Sequence, residues 1–134
     1  MLLDLSSFGR ALASLDRAIL RAQAALADEE LRDAVIQRFE YTYELAWKML
    51  KRHLEQVVPD PGRIDGLSFR ELMREGAERG IVADVEAWFE YRHQRNLTSH
   101  AYNAAAAQMV FQTALRFREA AHSLYRELVG RNVE

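Results

Sequence analysis

One stretch limits the fold more than any other. From Glu29 to about Val57 apolar residues return at helical spacing, through Leu31, Val35, Phe39, Leu45, Ala46, Met49, Leu50 and Leu54. Tyr41, Tyr43 and Trp47 widen this stripe until the segment is apolar on several faces. A helix of that kind must be buried inside a bundle or covered by a second subunit. Pro59-Asp60-Pro61-Gly62 stops it, and these are the only prolines in the chain.

The flanking segments are read the same way. Ser6 or Ser7 is placed to cap a first helix whose stripe is Leu12, Leu15, Ala18, Ile19, Ala22 and Leu26. Asp28 reads as the N-cap of the long helix, with Glu29 and Glu30 where the helix dipole favours anions. Ser68-Phe69-Arg70-Glu71 is a capping box opening a short helix from Phe69 to Arg79, closed by Gly80 in a left-handed turn. Asp84 opens another helix, with Val85, Trp88, Phe89 and Arg92 toward one side. Asn103 caps the last helix, which runs through Val110, Phe111, Phe117, Leu124 and Leu128 to a stop at Gly130. The expectation is all-α: an antiparallel four-helix up-and-down bundle with one extra short helix, residues 59–67 being loop. With 134 residues the whole chain, 1–134, is expected to be one domain.

Composition narrows the chemistry. There is no cysteine, so disulfides, thiolate metal sites and cysteine nucleophiles are out. This fits a reducing, cytoplasmic setting. The first residues have no signal-peptide pattern, and no apolar run reaches the ~18 residues of a membrane span. A net charge of −2 argues against a general nucleic-acid coat, so any such contact belongs to a local patch.

That patch surrounds Arg95-Asn96-Leu97-Thr98-Ser99-His100-Ala101-Tyr102. From Tyr91 to Arg118 there is no Asp or Glu, while Arg92, Arg95, Arg116 and Arg118 all fall there. On an unbroken helix, residues five apart are rotated by roughly 140°. Arg95 and His100 therefore act together only across a helix break or across a dimer axis. Thr98, Ser99 and the Asn103 cap favour a break, with Arg95 near a helix end and His100 in or near the turn.

Imidazole gives and takes protons near neutral pH, and arginine offers a fork matched to phosphate oxygens. The pair suits RNA cleavage without a metal, the substrate's 2′-hydroxyl being the nucleophile. Without reaction, the same pair would bind a nucleotide phosphate, and a purely structural reading has both residues capping helix ends. Arg92, His93 and Asn96 are candidate phosphate or RNA contacts. Glu40 or Glu44 is a candidate orienter of Arg95 or His100, and Glu44 also suits an i,i+4 pair with Lys48. The seam Phe39, Tyr43 and Trp47 reads as packing. His53 and His122 read as surface residues. No histidine pair has metal-ligand spacing with a third carboxylate, so no metal or cofactor is expected.

The octapeptide resembles the Arg-(four residues)-His-x-Tyr signature of HEPN-domain proteins. Gln37-Arg38-Phe39-Glu40-Tyr41-Thr42-Tyr43-Glu44-Leu45-Ala46-Trp47-Lys48 resembles, more closely, the signature of the nucleotidyltransferase substrate-binding protein family. The likeness spans about Leu12 to Leu128. It implies a small helical bundle that forms a homodimer and associates with a minimal nucleotidyltransferase. In related HEPN proteins the bundle is a ribonuclease toxin and the nucleotidyltransferase its antitoxin. On that pattern Arg95 and His100 carry cleavage, and Tyr102 is the residue the partner modifies with AMP. The implied alternative is a non-catalytic subunit that binds a nucleotide for its partner.

Overall fold

A computed structural model describes residues 2–98 and 103–133, Thr98 by its backbone alone. Six helices follow one another: α1 (Ser6–Ala24), α2 (Glu29–Val57), α3 (Pro61–Asp65), α4 (Phe69–Glu78), α5 (Val85–Thr98) and α6 (Ala104–Arg131). The described residues contain no strand, and none of their helices is long and apolar enough to cross a membrane. The bundle is α1, α2, α5 and α6, with α2 packed against α1, α6 and α5, and α6 against α1 and α5. The small helices α3 and α4 lie against α2, and α4 also touches α5.

Local chemistry sets most of the boundaries. Asp28 accepts from the amides of Glu30 and Leu31 at 2.9 and 3.2 Å, starting α2 where expected. Both bonds of the Ser68–Glu71 capping box are present. Asp84 accepts from the Ala87 amide at 3.2 Å and Asn103 from the Ala106 amide at 2.8 Å. Gly80 has φ +77°, a conformation that strains any residue with a Cβ, and so turns the chain after α4.

Elsewhere the fold departs from the sequence reading. Neither Ser6 nor Ser7 caps α1; Asp4 does the work from two residues earlier, accepting from the Ser6 amide at 3.0 Å and its hydroxyl at 2.6 Å. Leu26 falls in the α1–α2 turn and is exposed, beyond the end of its stripe. Residues 61–65 form α3 rather than loop, Pro61 occupying the first turn, where a missing amide proton costs nothing. Gly130 does not end α6, which continues to Arg131.

His53 is buried, not on the surface, at 5% exposure. His122 is half-buried, its Nε2 2.9 Å from Asp16 Oδ2. Arg118 Nε donates to the same Asp16 at 2.8 Å, so one carboxylate on α1 holds two residues of α6. Asn132 closes the other end, accepting from the Leu3 amide and donating to the Leu3 carbonyl, each at 2.8 Å.

The core centres on one ring. Phe117, fully buried on α6, meets Phe39 of α2 at 5.1 Å, and Trp88 and Tyr91 of α5 at 5.7 and 5.3 Å, all edge-to-face. That geometry places ring edges on ring faces and adds to the burial of the rings. Gly76 is required where α4 meets α2, because a Cβ there would lie 2.9 Å from Val82 and 3.2 Å from Leu50.

Phe117→Ala is expected to cost about 3–5 kcal/mol, measured by urea denaturation, since the vacated space borders three helices. His53 supplies a pH test. Burial, with Arg131 and Arg79 nearby, holds its imidazole below the ordinary value. The unfolded chain therefore binds a proton that the folded chain resists. Stability is full above about pH 6.5 and falls as the pH drops below it. Urea midpoints at pH 7.5 and pH 5 are expected to differ less in His53→Gln than in the wild type.

Candidate functional site

The polar stretch of α5 is placed by the apolar residues it interrupts. Trp88, Tyr91 and Gln94 recur every three residues and are buried. Each is followed one position on by Phe89, Arg92 or Arg95, on the flank of the helix that looks across to α2 and α4. There Arg95 Nη2 lies 3.1 Å from Glu44 Oε1. The other oxygen of Glu44 lies 3.7 Å from Lys48 Nζ, the i,i+4 pair that the spacing of α2 calls for. One carboxylate thus holds a cation from each of two helices. Both members of the Arg95–Glu44 pair are about a third exposed, at 34% and 29%, so solvent reaches them.

The pair sits in a cleft of about 300 Å³ between α2, α3, α4 and α5. Tyr43, Trp47 and Phe69 form aromatic walls, and Glu44, Lys51, Arg92, Arg95 and Asn96 bring polar groups to it. Its size and its mixture of apolar walls with a few convergent polar groups are those of a small-molecule site. Lys51 is tied to Asp65 of α3 at 3.0 Å. Arg92 lies over the ring of Phe69 at 4.7 Å, a cation–π contact that keeps its guanidinium at the rim. Burial pushes the phenol of Tyr43 well above its ordinary value, so Tyr43 is a neutral wall residue.

A second hollow of about 360 Å³ adjoins the first and shares Phe69, Arg92 and Asn96 with it. Here His93 is exposed beside Arg70, and Arg70 lies 4.2 Å from the centre of the Phe89 ring. The two hollows form one surface of alternating cations and aromatic rings, a lining that suits phosphates and planar bases.

The candidate residues therefore divide. Arg92, Arg95, Asn96 and Glu44 line the same cleft, and His93 lines its neighbour. Glu40 lines neither, and among the described residues it forms no ion pair. His100 and Tyr102 lie outside the described residues, in the segment between α5 and the Asn103 cap of α6. Arg95 is in the last turn of α5. Trp47, read from sequence as packing, proves to be a cleft wall as well. Lys51 and Phe69 were missed altogether, since they line the cleft only because α3 and α4 pack against α2. Among the described residues no group of three or more His, Asp or Glu could hold a metal ion.

Comparison with known proteins follows the same residues. Residues 3–130 match the family model described as nucleotidyltransferase substrate binding protein like. A Haemophilus influenzae protein named probable ribonuclease HepT is 33% identical over 117 residues, covering 87% of this chain and 80% of the relative. A solved Haemophilus influenzae structure, described as the fold of a substrate binding domain of a nucleotidyltransferase, superposes with a TM-score of 0.88. It is 28% identical, and the match covers 94% of this chain and 99% of the other. A Thermus thermophilus structure aligns with a TM-score of 0.71 at 29% identity, over 95% of this chain and 99% of that one. The family match spans the whole bundle and both signature segments, and the chain belongs to the nucleotidyltransferase substrate binding protein-like family.

Proposed function

We propose that this chain is a metal-independent endoribonuclease of the HEPN type, one half of a toxin–antitoxin pair whose other half is a minimal nucleotidyltransferase. The observation that carries the reading is the Arg95–Glu44 ion pair at 3.1 Å. It joins the two signature segments and presents a fixed guanidinium to a cleft of a size to take a nucleotide. The relative named probable ribonuclease HepT supports it.

In the proposed reaction the 2′-oxygen of a ribose attacks the adjacent phosphorus and the bond to the 5′-oxygen breaks. A 2′,3′-cyclic phosphate and a free 5′-hydroxyl result. His100 takes the proton of the 2′-hydroxyl, and the His100 of a second copy gives one to the departing 5′-oxygen, so the homodimer divides base and acid. Arg95 carries the negative charge that gathers on the phosphoryl oxygens, which is where a preset cation lowers the barrier most. Glu44 orients Arg95, and Arg92, His93 and Asn96 hold the strand. The whole chain acts as one helical domain. In the regulatory step the partner moves AMP from ATP to the phenol oxygen of Tyr102, and pyrophosphate leaves. The bulky anion, two residues from His100, blocks RNA by size and by charge.

A second reading rests on the cleft itself. Its aromatic walls and volume equally suit a non-catalytic subunit that holds a nucleotide for the nucleotidyltransferase. The solved relative described as a substrate binding domain of a nucleotidyltransferase supports this alternative.

Purified protein is expected to cut RNA in EDTA. Arg95→Ala and His100→Ala should each reduce the rate by about 100-fold or more, as loss of one transition-state contact does. Undiminished cleavage by His100→Ala rejects the assignment. Glu44→Gln is expected to lower kcat about ten-fold with little change in KM, because it loosens Arg95 without removing it. Co-expression with the nucleotidyltransferase should add the mass of one adenylyl group to the wild type and none to Tyr102→Phe; addition elsewhere in the chain rejects Tyr102 as the acceptor.

A further inference from the structure

The helical signature also builds something on the side of α2 away from the cleft. Arg38 precedes Glu44 by six residues, which puts it about 120° away around the helix. It turns toward α1, where its Nε donates to Ser14 Oγ at 3.0 Å and its Nη1 to the Ala34 carbonyl at 3.2 Å. The Tyr41 phenol donates to the same Ser14 oxygen at 2.9 Å. Arg17 and Arg21, one turn apart on α1, complete a groove of about 80 Å³ with Ser14 and Arg38.

Three arginines thus line one groove where α1 meets α2. Among the described residues none of the three has a carboxylate within 4.0 Å. Asp16, beside Arg17 in sequence, is engaged with Arg118 and His122, Asp33 is engaged with Arg32, and Glu40, two residues after Arg38, makes no ion pair with it. Like charges brought together on packed helices repel, and an anion between them removes that cost. The groove is far smaller than the 300 Å³ cleft and has room for a group of only a few heavy atoms. Its donors are preset. Arg38 is fixed through Nε and Nη1, which leaves Nη2 for a ligand. Ser14 already accepts twice and still has its own hydroxyl proton to give.

From this we infer that the α1–α2 groove is a second anion site, separate from the Arg95 cleft, that takes a single tetrahedral phosphate group. Arg38 and Ser14 fix its position, and Arg17 and Arg21 supply the remaining charge. Forked guanidinium donors match the oxygen spacing of phosphate, and the small groove suits one such group at a time. The phosphate arrives as inorganic phosphate or as one phosphodiester of a nucleic-acid strand; the recognising chemistry is the same.

The test uses the full chain with nitrogen-15 in its arginines, followed by NMR of the side-chain Nε–H groups. Inorganic phosphate, titrated at constant ionic strength, is expected to shift the Arg38 signal to saturation. In the Arg17→Gln/Arg21→Gln double variant the affinity should fall ten-fold or more, while the urea midpoint without phosphate is kept. A short DNA oligonucleotide without terminal phosphates, which no 2′-hydroxyl can cleave, identifies the source. Displacement of phosphate by it assigns the site to a strand; saturable phosphate binding that it leaves untouched assigns the site to free phosphate. A shift that does not saturate, or that is matched at the exposed Arg52 and Arg126, overturns the proposal. So does a phosphate affinity that vanishes as protein concentration rises, because a second copy then fills the groove. None of these readouts depends on RNA cleavage, so the proposal and the ribonuclease reading fail separately.

Discussion

The ring of Phe117 decides where the cleft is. Among the described residues it is the one ring of α6 that meets aromatic rings of both α2 and α5, through Phe39 and Tyr43 on one side and Trp88 and Tyr91 on the other. With Trp88 and Tyr91 pinned to it, the rotation of α5 about its own axis is fixed. Arg92 and Arg95, one and four positions after Tyr91, are then carried to the flank facing α2. The ion pair with Glu44 is a consequence of that packing, not its cause. A pair about a third exposed contributes about 1 kcal/mol or less, whereas each buried ring contributes about 1.5–3 kcal/mol. The core holds the guanidinium in place, and the carboxylate sets its direction.

This order of strength explains the shape of the site. A permanent cation in a partly open cleft must be prevented from swinging into water. Glu44 does this from one side, and Glu44 is itself shared with Lys48, so the local charge of the trio stays positive. Arg92 is restrained differently, by the face of Phe69. One cation is held by charge and the other by a ring, and both leave donors facing the cleft. Phe69 in turn depends on the capping box of Ser68 and Glu71, which fixes where α4 begins.

Local rules made most of the fold legible. The caps at Asp28, Ser68, Asp84 and Asn103 are decided within a few residues, and each was found where hydrogen-bonding chemistry puts it. The errors came where a residue's fate depends on something distant or where two local signals compete. His53 was read as a surface residue, yet it lies at 5% exposure. Leu26 continued its stripe in periodicity, but the helix had already stopped at Ala24. The start of α1 was misassigned because a serine beside an aspartate competes for the same cap, and the acid two residues ahead won. In the site, Arg92, Arg95 and Asn96 were legible as a polar tract. The choice between Glu40 and Glu44 was not, because it turns on how α2 crosses α5. Lys51 and Phe69 were invisible because the placing of α3 and α4 against α2 decides that they line the cleft.

The same crossing separates two sets of contacts within one signature. Residues 43, 44 and 47 share a face of α2 and all line the cleft, while 38 and 41 share another face and meet Ser14 of α1. Thr42, between them, is fully buried and donates to the Ala11 carbonyl at 3.4 Å. Phe39, also fully buried, packs on Phe117. A dozen consecutive residues therefore serve the cleft, the core and the α1 contact at once. A seam that only packed helices would need its apolar positions and nothing more. Three of the polar positions here, Arg38, Thr42 and Glu44, reach neighbouring helices: α1 through Ser14, α1 through its backbone, and α5 through Arg95. Each fixes a neighbour's register against α2 by a directional contact, which apolar packing alone does not supply. That is why a stretch whose length and apolarity dictate a bundle also dictates which bundle, and where its cations converge.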